Sequence, residues 1–190
     1  MTGDEMLHLL KDTGAILEGH FLLASGMHSD RYVEKFRLLE RPDVTERCCA
    51  ELARRFRAGR PEVVIGPTTG GVIVAYETAR HLGVRAVFAE REGGGRALRR
   101  GFTIGPGERV LLVDDVMTRG GSVRETIELV ESCRGNLVGI GLLVDRSGED
   151  LDFGVPTEAL SKLRIDAYEP DECPLCVKGV PLTERGSGHL

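Results

Sequence analysis

A single α/β domain, with a central, mostly parallel sheet flanked by helices, is the fold class the sequence predicts, and three observations carry it. The runs VVI (63–65), VRAVFA (84–89), RVLLV (109–113) and LVGIGLLV (137–144) are β-branched or apolar at nearly every position, as parallel strands covered on both faces require. Helical segments sit between some of them, at 71–81 and 122–133, giving the strand and helix alternation of right-handed crossover units. The 190 residues are enough to bury one full core without disulfide or metal staples.

Taken in order, residues 4–18 (DEMLHLLKDTGAILE) carry apolar side chains at mixed helical spacing. GHFLLASGMHSDRYVEKF follows as two short strand-like pieces around a Ser25-Gly26 turn, so about 1–40 reads as an N-terminal appendage. Asp43 stands three residues before Glu46, a capping-box pair that would open a helix from 44 to about 57. The core sheet then occupies about 60–165. Within it, Ser122 and Glu125 form a second capping-box pattern, and Gly135 is placed to close that helix. Residues 170–190 read as a loosely structured tail.

Charge and composition narrow the function. The formal net charge is −5, and three Tyr, six Phe and no Trp are available for stacking, which disfavours polynucleotide binding. A small anionic ligand is compatible, because backbone N–H groups and a few arginines make a cleft locally positive on an acidic protein. No apolar run approaches the ~18 residues of a membrane span, and MTGDEMLHLL lacks the basic flank and long apolar region of a signal peptide. A cytoplasmic protein with no membrane partner is therefore expected. The five cysteines are an odd number for a closed disulfide set, so reduced thiols are expected. Cys173 and Cys176, in C-P-L-C, have metal-ligand or redox spacing, but a second ligand pair is not evident and His189 stands alone. The bland reading of this tail is a structured turn.

In open α/β sheets ligands collect beyond the carboxyl ends of the strands, which directs attention to GPTTGG (66–71), EREGGGRALRRG (90–101), DDVMTRGGS (114–122) and DRSGED (145–150). DDVMTRGGS puts two adjacent carboxylates at the end of a buried strand, where mutual repulsion and desolvation make them costly for folding alone. Thr118, Gly120, Gly121 and Ser122 then lead into a helix N-terminus suited to a phosphate. Beside that phosphate, Asp114 and Asp115 would accept hydrogen bonds from ligand hydroxyls or help hold a divalent cation. A ribose 5-phosphate answers both features. GPTTGG follows another strand, and Thr68, Thr69, Gly70 and Gly71 offer a second anion socket for a pyrophosphate. A nucleoside-triphosphatase P-loop is set aside because GPTTGG has no Lys. The arm 90–101 carries Arg91, Arg96, Arg99 and Arg100 around three glycines, too flexible to pack and too basic to bury. It reads either as a solvated hairpin tip or as a lid closing guanidinium groups over a leaving pyrophosphate.

With these residues on the page, VLLVDDVMTRGGS resembles the phosphoribosyl pyrophosphate signature of the type I phosphoribosyltransferases, and the order of apolar runs fits that fold from about residue 60 to 145. SGMHSDRY (25–32) and VDR (144–146) resemble the orotate-using branch, whose N-terminal hood holds the pyrimidine, and extend the match to about 5–165. The resemblance implies transfer of ribose 5-phosphate from phosphoribosyl pyrophosphate to orotate with Mg2+, in a homodimer whose arm is shared across subunits. It gives Asp114 and Asp115 the ribose hydroxyls, and wraps the 5′-phosphate with Val116, Met117, Thr118, Arg119, Gly120, Gly121 and Ser122. Thr118 and Arg146 would touch orotate, and Arg91 the pyrophosphate. His28 stands where relatives often carry Lys, and its reading is divided between ligand contact and structural role. The arm departs from the family pattern, being short and Arg-rich, with Arg96, Arg99 and Arg100 unassigned. No metal ligands from the protein are expected beyond Asp114 or Asp115, the magnesium arriving with the substrate. Another base on the same scaffold, or a non-catalytic sensor of the sugar pyrophosphate, are the alternatives.

Overall fold

The computed structural model describes residues 1–23 and 25–184. Helix α1 (Gly3–Asp12) opens on a reciprocal cap: the Glu5 N–H donates to Thr2 Oγ1, and the Thr2 N–H donates to the Glu5 carboxylate. Met6 and Leu10, four residues apart, form its buried stripe. Gly14, at φ 67°, then turns the chain into strand β1 (Ile16–Leu22), so the segment 4–18 is a helix followed by a strand. Strand β2 (His28–Val33) pairs antiparallel with β1, as the Ser25-Gly26 turn predicts. A short α2 (Phe36–Leu39) leads to α3 (Pro42–Phe56). The Asp43 capping box does not form. Pro42 starts α3, where its missing N–H costs nothing, and the Asp43 carboxylate accepts two hydrogen bonds from Arg41 instead, at 3.0 and 3.2 Å.

The main sheet comprises β3 (Val63–Pro67), β4 (Arg85–Glu92), β5 (Gly95–Leu98), β6 (Arg109–Met117), β7 (Asn136–Asp145) and β8 (Thr157–Lys162), in the order β5-β4-β3-β6-β7-β8. Only β5 runs antiparallel to its neighbour. Helix α4 (Gly70–Leu82) joins β3 to β4, and α5 (Gly121–Ser132) joins β6 to β7. The period of two sorts the apolar strand residues between faces. Val64, Leu111 and Val113 pack with Met6, Leu52 and Val74 from α1, α3 and α4. Val63, Ile65, Val110 and Leu112 pack with Val123 and Val130 of α5. Each such fully buried side chain contributes about 1.5–3 kcal/mol. Gly139 on β7 admits the Phe56 ring, which a Cβ there would approach to 2.5 Å. Arg134, at φ 58°, takes the left-handed position after α5, while Gly135 is needed because a Cβ would stand 2.9 Å from Ile104.

From β3 the chain moves outward to β4 and returns to β6 on the other side of β3. The loops after β3 and β6 therefore leave neighbouring strand ends toward opposite faces, opening the crevice where such sheets bind ligands. Beyond 165 the structure departs from expectation. Cys173 is fully buried, a short α6 (Pro174–Val177) follows, and β9 (Thr183–Glu184) pairs parallel with β1. The His28 and Tyr168 backbones exchange N–H to C=O hydrogen bonds at 2.8 Å. The tail is thus a strap laid across the β1–β2 hairpin, its order coming from backbone pairing that composition does not reveal. His189 lies outside the described residues.

Candidate active site

The acid pair sits at the end of β6, with Asp114 6% and Asp115 2% exposed. Two buried carboxylates side by side require compensation, and the backbone supplies part of it. Asp115 N–H donates to Asp114 Oδ1 at 2.8 Å, and Val116 N–H donates to Asp115 Oδ1 at 2.6 Å. Lys35, between β2 and α2, supplies the rest: its ammonium donates to Asp115 Oδ1 at 3.1 Å and lies 2.9 Å from Oδ2. Oδ2 is nonetheless a buried oxygen with no hydrogen bond of its own among the described residues. Burial raises the pKa of Asp114 well above the ordinary carboxylate range, and the neighbouring Asp115 charge adds to that. Lys35 escaped the sequence reading because 80 residues separate it from its partner and nothing in a lone Lys signals the pairing.

The GPTTGG loop presses against this pair. A Cβ on Gly70 would overlap the Asp115 carboxylate, and one on Gly71 would lie 3.0 Å from Asp114 Oδ1 and 2.8 Å from Pro67. These glycines are required by close approach: α4 begins where the carboxylates end. The Thr68–Thr69 peptide is cis. On the other side, Gly120 (φ 74°) caps α5 and turns the loop after β6 into the helix. Thr118 and Arg119 are exposed, and Gly121 and Ser122 open a helix that has no side-chain cap, so its first N–H groups lack intrahelical partners.

The Ser122 and Glu125 pattern has a different use from the cap it resembles. Arg96 of β5, whose side chain is 4% exposed, donates to Ser122 Oγ at 2.7 Å and pairs with Glu125 at 3.1 Å. The same guanidinium donates to Thr68 Oγ1 at 3.2 Å. Arg96 therefore ties the loops after β3 and β6 together. The arm is not too basic to bury: it is the hairpin β4–β5, turning at Gly93 and Gly94, with Arg96 inside. Arg99 and Arg100 pair with Glu92 and Glu90 on its exposed side. Arg91 faces Arg96 in the register but is itself exposed.

Arg146 follows β7, its N–H donating to the Met117 carbonyl at 2.8 Å at the end of β6. Its buried Nε has no partner among the described residues, and burial lowers its pKa. A partly desolvated cation with a free donor is poised for an anionic ligand. The structure thus brings Asp114, Asp115, Gly70 and Gly71 into contact and, through Arg96, ties Thr68 to Ser122, while Arg146 follows β7 beside the end of β6 and Lys35 supports the acid pair. Val116 and Met117 end β6, and the Met117 side chain is buried in the core instead of lining a loop. His28 is turned elsewhere. It is 6% exposed, and its Nδ1 faces His20 and Cys176 at 3.0 and 3.3 Å, so its reading as a base or pyrophosphate contact gives way to the structural one.

A doubly wound sheet whose switch-point crevice holds an acid pair, a glycine loop and a phosphate-type helix start is the architecture of a phosphoribosyltransferase. Residues 38–152 match the family model for the phosphoribosyl transferase domain. Over all 190 residues, with both chains fully covered, the sequence is 53% identical to the orotate phosphoribosyltransferase of Pelotomaculum thermopropionicum. It is 50% identical to that of Thermotoga maritima over 182 residues, 96% of this chain and 97% of the relative. The crystal structure of the Aeropyrum pernix orotate phosphoribosyltransferase matches with a TM-score of 0.71 at 30% identity, covering 83% of this chain and 93% of that one. An adenine phosphoribosyltransferase from Rhodothermus marinus shares the fold, at TM-score 0.64 and 23% identity over 84% and 99% of the two chains. The chain belongs to the phosphoribosyltransferase family and, within it, to the orotate phosphoribosyltransferases.

Proposed function

We propose that this protein transfers ribose 5-phosphate from 5-phosphoribosyl 1-pyrophosphate to N1 of orotate, giving orotidine 5′-phosphate and pyrophosphate, a step in pyrimidine nucleotide synthesis in the cytoplasm. The observation that carries the reading is the buried Asp114–Asp115 pair set between two loops that each offer an anion socket. The backbone N–H groups of 118–122 bind the 5′-phosphate at the start of α5, and the carboxylates accept the ribose hydroxyls, which fixes the sugar at both ends. As the bond from C1 to the pyrophosphate oxygen breaks, positive charge develops on the sugar and negative charge on the leaving group. The acid pair faces the first, and Thr68, Thr69, Gly70 and Arg91 the second. Arg146, with its free Nε, holds the orotate so that N1 points at C1.

Lys35 pairs with Asp115 alone, while burial and the Asp115 charge hold back ionisation of Asp114; a divalent cation would offset that cost, with Asp114 or Asp115 the side chains that would touch it. Mg2+ bound with the substrate would neutralise charge on the departing pyrophosphate. A homodimer whose arm reaches the neighbouring site accords with Arg91 standing exposed on the hairpin. It accords also with the groove between α3 and α4, where Ile73 and Tyr76 are 40% and 68% exposed.

The test is loss of orotate absorbance on adding the sugar pyrophosphate and magnesium, run beside adenine, guanine and uracil. Orotate alone should be consumed, and only with magnesium present. Consumption of another base in its place, or binding of the sugar pyrophosphate with no turnover of any base, would overturn the proposal.

A further inference from the structure

Far from the acid pair, the hood and the tail bring four metal-ligating side chains to one point. His20 on β1, His28 at the start of β2, Cys173 at the N-cap of α6 and Cys176 within it each offer one ligand atom, and all four atoms lie within 4.8 Å of one another. The hairpin register sets Leu22 opposite His28 and shifts between Glu18 and Phe21, and within that irregular stretch the His20 ring meets the His28 ring at 3.0 Å between nitrogens. The C-P-L-C turn supplies the other pair, its contacts spanning 148 to 156 residues of sequence. Three of the four residues are buried.

The separations approach those of a tetrahedral shell, the two ring nitrogens standing closest. Nε2 of His20 is 3.0 Å from Nδ1 of His28, 3.4 Å from Cys173 Sγ and 3.8 Å from Cys176 Sγ, and Cys176 Sγ is 3.3 Å from His28 Nδ1. Zinc bonds of about 2.0–2.3 Å at tetrahedral angles place such atoms roughly 3.3–3.8 Å apart. Hydrogen bonding alone does not account for the group. His20 Nδ1 lies 2.8 Å from the Val180 carbonyl, an acceptor only, so Nδ1 carries the proton and Nε2 is left with one lone pair. Three neighbours converge on that lone pair, and it can take one of them. A carbonyl on the far nitrogen is also the second contact that orients a metal-bound imidazole.

We infer that His20, His28, Cys173 and Cys176 form a structural zinc site that pins the tail strap to the hood hairpin. Binding displaces the two thiol protons, and two thiolates neutralise the dication, giving an uncharged centre suited to a buried place. Four protein ligands leave no open position, so the ion has no part in the transfer reaction.

Metal analysis of the full-length protein, purified without chelator, should find about one zinc ion per chain. Replacing it with Co2+ should give visible ligand-field bands of tetrahedral type together with thiolate-to-cobalt charge transfer. His20→Gln and Cys176→Ser should each lose the metal, while Cys133→Ser keeps it; chelation of the wild-type protein should lower Tm, and zinc should restore it. The inference falls if the wild-type chain neither carries zinc nor yields the cobalt spectrum, or if both ligand variants retain the metal. Should the variants fail to fold, the cobalt spectrum of the wild-type chain decides by itself.

Discussion

Asp114 is a carboxylate whose ionisation the fold opposes, through burial first and through the charge of Asp115 second, with Lys35 compensating from the far side of its neighbour. An acid whose folded pKa is raised binds its proton more tightly in the native state than in the unfolded one. The stability it contributes is complete below about pH 4 and is lost as pH climbs toward the elevated folded value. Asp114→Asn should therefore flatten the fall of Tm between about pH 5 and pH 8 and leave the variant more stable than wild type at the alkaline end. Thermal melts across that range check it, and an unchanged slope would mean that Asp114 is not the group responsible. Asp115 answers to function. Asp115→Ala should fold normally, since it frees a Lys35 ammonium that is already 36% exposed, yet lose about 10²–10³-fold in turnover of orotate. Turnover near the wild-type rate would remove Asp115 from the site.

At the scale of elements, β6, its loop and α5 were legible because each part signals independently: an apolar run, two acids that folding does not want, and small residues ahead of a helix. The same logic located β3, α4 and the GPTTGG loop. It missed β8, whose TEALSK pattern is that of a half-covered edge strand, and it missed β9, two residues held only by backbone pairing. It also misread Ser122 and Glu125, whose spacing is that of a cap but whose oxygens are taken by an arginine 26 and 29 residues away. Only the fold brings that arginine there, just as only the fold brings His20 and His28 to the C-P-L-C turn. Arg96 and Arg99, three residues apart on the arm, should consequently behave differently. Arg96→Met should cost about 3 kcal/mol, because it strands Glu125 and unties both loops, and should weaken the apparent affinity for the sugar pyrophosphate. Arg99→Met removes an exposed pair and should stay within about 0.5 kcal/mol. Urea midpoints for the two variants separate these outcomes, and Arg96→Lys should rescue little, since one ammonium cannot span the fork's partners.

For the whole molecule, the arm and the acid pair give a direct test of shared sites. Arg91→Ala and Asp115→Ala should each be inactive when expressed alone. If the proposed homodimer forms and the arm completes the neighbour's site, co-expressing them at equal levels should restore about a quarter of wild-type activity, from mixed dimers carrying one intact site. No recovery would mean that each subunit uses its own arm. The strap has a different bearing, on how the chain comes to be folded at all. The hood's first strand emerges early from the ribosome, but the Val180 carbonyl that meets its histidine lies 160 residues later. The parallel sheet can assemble as synthesis proceeds, whereas the hairpin beside it must idle, its edge unpaired, until translation is nearly done. The part of the molecule made first is therefore among the last to be finished.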